Sequence, residues 1–168
     1  GQEEETVIRY NSVIFDLDGT LLDTLDDLAA AVNHALGELG FPLRSRDEVR
    51  QFVGNGVAKL MERALPAGAN PADAARALTI FKDYYTLHSK DRTAPYSGVP
   101  ELLKTLRERG CKLAVVSNKF DGAVEPLMED YFPGLLDLSA GEDEDHGVPK
   151  KPNPAMVLRV METLGADP

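Results

Sequence analysis

The sequence predicts an α/β fold: a parallel sheet core with an all-helical cap inserted behind its first strand. Three observations carry that expectation. Short β-rich apolar runs at 13–16 and 112–116 are each followed by helical patterning, which implies parallel strands joined by crossovers. Residues 24–90 are patterned as helix throughout, with no strand signal. Between the first strand and that block lies Asp16-Leu17-Asp18-Gly19-Thr20, where a buried run ends in acids and a glycine turn.

Each element follows from local signals. Ser12-Val13-Ile14-Phe15 opens the first strand. From Thr24 to Leu39, apolar residues Leu25, Leu28, Ala29, Val32, Leu36 and Leu39 recur at helical spacing. Asp23 or Thr24 can cap that helix and Gly40 can end it. Ser45-Arg46-Asp47-Glu48 has the pattern of a capping box opening a second helix, which Gly54-Asn55-Gly56 breaks. Val57 to Leu65 forms a third. Asn70-Pro71, a cap and a first-turn proline, starts a long helix to about Ser89. After Pro95, an amphipathic helix from Pro100 to Arg109 ends at Gly110, and Lys112-Leu113-Ala114-Val115-Val116 reads as the second buried strand. A helix across about 121–130, a weaker strand near Leu135–Ser139 and a helix opened by Asn153-Pro154 and closed by Gly165 complete the pattern. The expected division is a core of residues 1–22 and 93–168 and a cap of residues 23–92.

Composition narrows the function. The 168 residues are 43% hydrophobic and 27% charged, ordinary for a globular protein with one real core. A formal net charge of -10 argues against nucleic acid or an anionic membrane as partner, since both need a basic surface. An anionic substrate must then be drawn by a local positive site or a metal. Cys111 is the single cysteine, so no internal disulfide can form, which fits a cytoplasmic location. No apolar stretch is long enough to span a membrane, and no signal peptide is visible.

Ligands of parallel α/β sheets bind beyond the carboxyl ends of the strands. Asp16 and Asp18 end the first strand, Ser117 and Asn118 the second, and Lys150-Lys151-Pro152-Asn153-Pro154 precedes a later helix. Two carboxylates, a hydroxyl, an amide and a lysine suit attack on phosphorus, with the cation and donors balancing phosphoryl charge. Oxygen ligands of this kind also hold Mg²⁺. Each piece has a plainer reading. Asp-Gly is a common turn, although Leu21-Leu22 continues into a helical pattern and not into a returning strand. Ser117 can be a turn residue, Lys151 a solvated charge, and the glycines about Asn55 a simple turn. The acidic run Glu142-Asp143-Glu144-Asp145 reads as a solvated loop, and His34, His88 and His146 lack metal-ligand spacing.

Together these segments resemble the haloacid dehalogenase superfamily of aspartate-nucleophile phosphatases. The signatures are Asp16-Leu17-Asp18-Gly19-Thr20, then Val115-Val116-Ser117-Asn118-Lys119, then Lys151-Pro152-Asn153-Pro154. The helical insert resembles that superfamily's C1-type cap on its Rossmann-like core. Phe15 to Thr24, Gly54-Asn55-Gly56 and Pro95-Tyr96-Ser97-Gly98-Val99-Pro100 are most similar to its phosphoglycolate phosphatase-like branch. The resemblance implies a Mg²⁺-dependent phosphatase acting on a small phosphorylated metabolite. Asp16 is then the nucleophile that becomes an aspartyl-phosphate, and Asp18 the acid and base. The Asp16 side chain and the Asp18 carbonyl hold Mg²⁺. Thr20, Ser117 and the backbone of Asn118 bind the phosphoryl group. Lys151, which directly precedes proline, steadies charge, and Gly54, Asn55 and Gly56 lie near the substrate. Aspartate at position 18 points to a phosphate ester, because protonating an alkoxide requires it.

One superfamily signature has no match: a further strand ending in Gly-Asp, whose acids complete the metal shell. The chain ends at Ala166-Asp167-Pro168, so the C-terminal part of the core is expected to be missing and the chain to be a fragment of a longer enzyme. Recruitment of a strand from another chain and a metal-poor relative that binds without turnover are the alternatives. The rival functions are a β-phosphoglucomutase-like phosphotransferase, a pyrophosphatase of the same superfamily, a non-catalytic binding or assembly module, and a plain scaffold with acids in turns.

Overall fold

We describe residues 12–142 of the computed structural model, leaving aside the side chains of residues 118–122 and 142. The expectations for Lys151, His146, the acidic positions 143–145 and the helix after Asn153-Pro154 lie outside the described residues.

Strand β1 is Ser12–Phe15, followed by a two-residue strand β2, Leu22–Asp23. Four helices come next: α1 Leu25–Glu38, α2 Arg46–Phe52, α3 Val57–Ala64 and α4 Pro71–His88. The chain returns through β3, Ala94–Pro95, to α5 Val99–Glu108, β4 Lys112–Phe120, α6 Asp121–Tyr131 and β5 Leu138–Glu142. Strands β1, β4 and β5 form a parallel sheet in the order β1-β4-β5, with Phe15 level with Val115 and Ala114 level with Leu138. None of the described helices is long and apolar enough to cross a membrane.

Strand alternation divides the apolar side chains of β4 between two faces. Leu113 and Val115 join Leu17, Leu21, Leu103, Leu127 and Phe132 in one buried cluster, while Ala114 and Val116 meet Ile14, Leu138 and Ala140 on the other side. The helices α1 to α4 bury a separate cluster around Val32, Leu36, Leu60, Phe81 and Tyr85, which Ala123 of α6 also joins. Through Ala123 the helical layer packs against α6.

Local signals explain most helix ends. The capping box at α2 is formed in both directions, Glu48 N–H to Ser45 Oγ at 3.1 Å and Ser45 N–H to Glu48 Oε1 at 3.0 Å. Asn70 Oδ1 accepts from Asp73 N–H at 2.8 Å and caps α4. Thr24 departs from expectation. It occupies the N-cap position of α1 but accepts no backbone N–H there; its hydroxyl is turned to donate to Asp18. Strand β5 begins at Leu138, three residues after the start expected from its apolar pattern. Asp137 explains the delay: its N–H donates to the Leu113 carbonyl at 2.8 Å and its carboxylate accepts from Leu113 N–H at 2.7 Å. Tertiary pairing with β4 therefore overrides the local pattern.

The helical insert leaves through β2 and returns through β3, which pair antiparallel as Leu22 with Pro95 and Asp23 with Ala94. A buried carboxylate locks this crossing. Asp27, 3% exposed, accepts from Arg92 N–H at 2.9 Å, from Thr93 N–H at 2.8 Å and from the Thr93 hydroxyl at 2.7 Å. Tyr131 of α6 donates its hydroxyl to the Thr93 carbonyl at 2.8 Å, and Lys90 pairs with Asp130 beside it.

Two predictions follow from this crossing. Replacing Asp27 by alanine strands three donors and should cost about 2–4 kcal/mol in denaturant unfolding, with Asp27→Asn in between; a loss indistinguishable from zero would refute the role. Burial, and then the Asp27 charge, push the Tyr131 phenol above its ordinary value of 10.0. Its contribution to stability is therefore full below that value and is lost as pH rises through the higher folded-state value. Stability measured across that alkaline range should fall more steeply in the parent than in Tyr131→Phe, and parallel curves would contradict this.

Candidate active site

The site begins where β1 stops. The Leu17 carbonyl accepts from the amides of Thr20, Leu21 and Leu22 at 3.2, 3.0 and 3.2 Å, which coils the chain into one tight turn. Gly19 sits within it at φ +78°, a left-handed conformation that disfavours a side chain, and its N–H donates to the Leu22 carbonyl at 3.0 Å. Leu17 is fully buried and pins the turn to the core, so its neighbours Asp16 and Asp18 point away from that apolar anchor. Asp16 is exposed and Asp18 half-buried. Asp18 Oδ1 accepts the Thr24 hydroxyl at 2.6 Å, a short charge-assisted bond that fixes this carboxylate against the start of α1.

Register places the second signature at the same sheet edge. Phe15 is level with Val115, so Asp16 falls one step and Ser117 two steps beyond the last paired position of β1. Strand β4 does not stop at Val116 as the sequence implied. It runs to Phe120 with an irregularity: Val116 pairs with Ala140 and Phe120 with Glu142, so four steps on β4 match two on β5. Residues 117–119 occupy that bulge, a device that re-aims backbone groups next to sites. Ser117 is 1% exposed.

Asp18 and Gly19 of the turn, but neither Asp16 nor Ser117, line a cleft of about 410 Å³. Its lining also draws on Asp23 and Thr24 before α1, on Arg46 and Arg50 of α2, on Val53 and Gly54 after it, and on Tyr96. Of the glycine loop, Gly54 reaches the cleft. Gly54 and Gly56 have φ of +128° and +89°, conformations that favour glycine. Asn55 is held by Arg63 of α3, whose guanidinium donates to Asn55 Oδ1 at 2.8 Å and to the Phe52 carbonyl at 2.9 Å. Arg44 similarly ties α2 to the end of α3, donating to the Ala64 carbonyl at 2.8 Å and pairing with Glu48 at 3.1 Å. The Ser45 backbone N–H, with its hydroxyl and Arg44, holds the Glu48 carboxyl below its ordinary 4.5.

The two arginines of α2 differ in their commitments. Arg46 is bonded to Asp26 at 2.7 Å, which holds it above its ordinary value and firmly charged. Arg50 makes a looser, exposed contact with Asp47 at 3.6 Å. Sequence reading passed over Arg46, Arg50, Arg63 and the Asp18 partner Thr24. The signal for the first two was present: basic residues four apart share a helix face, and they stand out in an acidic chain.

For a cation, the available donors are all oxygens. The exposed Asp16 carboxylate and the Asp18 carbonyl share one turn, a donor set suited to a hard divalent ion that retains several waters. Among the described residues no group of three or more His, Cys, Asp or Glu could hold a metal. His34 and His88 instead stack on the two sides of Tyr84 at 4.2 Å each.

Comparison with known proteins agrees with this architecture. The family model for haloacid dehalogenase-like hydrolases matches residues 13–168. The phosphoglycolate phosphatase of Pseudomonas putida is 42% identical over 163 residues, a match covering 93% of this chain and 58% of that protein. That of Aquifex aeolicus is 36% identical over 159 residues, covering 93% of this chain and 71% of its own length. The chain thus spans less than two thirds of the Pseudomonas relative. Among solved structures, CbbY from Rhodobacter sphaeroides in complex with phosphate superposes with a TM-score of 0.73 at 26% identity, covering 95% of this chain and 75% of CbbY. With the family model matching nearly the whole chain and relatives at this level of identity, the chain belongs to the haloacid dehalogenase-like hydrolase family.

Proposed function

We propose that this chain carries the nucleophile and leaving-group machinery of a phosphatase for a small phosphate monoester, phosphoglycolate-like in size. The observation that carries the reading is the pairing of two carboxylates on one turn. One is exposed at the carboxyl edge of the sheet, and the other is fixed by Thr24 and lines the cleft. The relatives named phosphoglycolate phosphatase support the choice of substrate.

In this reading Asp16 attacks phosphorus in line with the departing oxygen and becomes an aspartyl-phosphate. Asp18 gives its proton to the leaving alcohol, then takes one from the water that hydrolyses the intermediate. Thr24, donating to one Asp18 oxygen, holds this carboxylate where it lines the cleft. Ser117, the Asn118 backbone and Thr20 receive the phosphoryl oxygens, and Lys151 balances their charge. The Asp16 carboxylate and the Asp18 carbonyl would hold Mg²⁺. That ion supplies charge neutralisation between the nucleophile and a phosphate dianion. We divide the chain functionally into a core of residues 1–22 and 93–168 and a cap of residues 23–92. The cap excludes water and selects the substrate through Gly54, Asn55, Gly56 and the neighbouring helix α2.

The likeness to CbbY, which also has a solved complex with xylulose-(1,5)-bisphosphate, favours a sugar phosphate as the second reading. A phosphate-ester panel separates the two: phosphoglycolate should be among the best substrates, and a clear preference for sugar phosphates would move the assignment.

Two variants test the mechanism. Asp16→Asn should lower kcat/KM by about a thousandfold or more and abolish trapping by beryllium fluoride; unchanged turnover would overturn the nucleophile. Thr24→Val, nearly isosteric, should lower kcat about tenfold while KM moves less than about twofold. A change confined to KM would refute its role in holding the acid.

A further inference from the structure

Resting on the phosphatase reading above, we propose that Arg50 recognises a carboxylate on the leaving-group side of the substrate, and so sets the enzyme's preference for carboxylated phosphate esters. The cleft beside Asp18 is the space into which a departing alcohol must emerge, because Asp18 is the group that protonates it. Its charges are segregated. The acids Asp18 and Asp23 come from the turn and β2, and the cations Arg46 and Arg50 from α2. Leu25, Leu28 and Val53 add apolar surface to the lining. A ligand with an ester oxygen at one end and an anion at the other matches that polarity, and about 410 Å³ holds only a small one.

Of the two cations, Arg50 is the one able to change partners. Arg46 is bonded to Asp26 at 2.7 Å and also feels Asp23 and Asp47, so its charge is already met within the chain. The Arg50 contact to Asp47 is 3.6 Å long, with the two side chains 61% and 83% exposed, a geometry that contributes little. A guanidinium is planar and presents parallel donors that match a carboxylate in two bonds. The backbone beneath it is rigid. The capping box and Arg44 fix α2, and Arg63 fixes the Phe52–Asn55 segment that follows. In a chain of net charge -10, such a cation also offsets the repulsion that an anionic substrate meets on approach.

The test compares 2-phosphoglycolate with ethyl phosphate, esters that differ in the carboxylate. The ratio of kcat/KM for the first over the second should fall about ten- to a hundredfold in Arg50→Ala and recover in part in Arg50→Lys. The same contrast should appear as binding affinity in the Asp16→Asn background, where turnover is blocked. A ratio that stays unchanged in Arg50→Ala, or affinities lost equally for both esters, overturns the carboxylate assignment while the phosphatase stands. If the parent protein neither hydrolyses nor binds either ester, the phosphatase reading falls and this one with it.

Discussion

A buried carboxylate at the root of the helical insert is the contact on which the remaining geometry depends. Asp27 is nearly inaccessible to solvent, and a charge there is tolerable because backbone and hydroxyl donors of residues 92 and 93 surround it. Those donors lie 65 and 66 positions away in sequence, so one side chain holds the departing and returning strands together. Because Asp27 belongs to the first turn of α1, the same contact fixes where that helix begins. Thr24, one residue before α1, is thereby set within reach of Asp18. The chemistry of the turn and the attachment of the insert thus share one short piece of chain.

What the sequence disclosed divides along the range of the interactions. Local rules located the Asp16–Thr20 turn, the Ser45–Glu48 capping box, the Asn70-Pro71 start and the glycine break between α2 and α3, since each is written within a few residues. The expectation that Asp23 or Thr24 would cap α1 located the N-cap at Thr24 but not its bond: the hydroxyl is turned to donate to the Asp18 carboxylate, and its oxygen accepts no backbone N–H of the first turn. The two-residue strands β2 and β3 were invisible because nothing in a pair such as Leu22-Asp23 signals pairing with residues more than seventy positions away. Asp27 carried no signal either, since an acid in the first turn of a helix is ordinary on its own. Of the candidate cleft, Asp18 and Gly54 were legible in the sequence; Arg50 carried a signal in its spacing from Arg46 that was passed over, and Arg63 carried none, because its meaning lies in what folds against it.

The cleft illustrates how an acidic protein can present itself to an anion. Net charge acts over a distance that salt shortens to about 10 Å, whereas the local arrangement of Arg46 and Arg50 acts at contact. Asp26 consumes one of the two guanidinium charges and in doing so anchors α2 to α1. The second is left at the end of a braced helix. With the proposed role of Arg50, support and recognition fall to different residues of one helix, and each can vary without undoing the other.

The paired strands at the neck of the insert carry a further meaning for the energetics of the whole chain. An unconstrained excursion of roughly 70 residues would carry a closure entropy on the order of 4 kcal/mol against formation of the sheet. Zipping its ends together, through Leu22 with Pro95 and Asp23 with Ala94, makes the excursion behave toward the sheet as a hairpin does. Its own apolar cluster organises the remainder. The helical layer that lines the cleft is in this sense thermodynamically modular. Its helices can lengthen, shorten or exchange residues while the strand that presents Asp16 continues to experience only a tight turn.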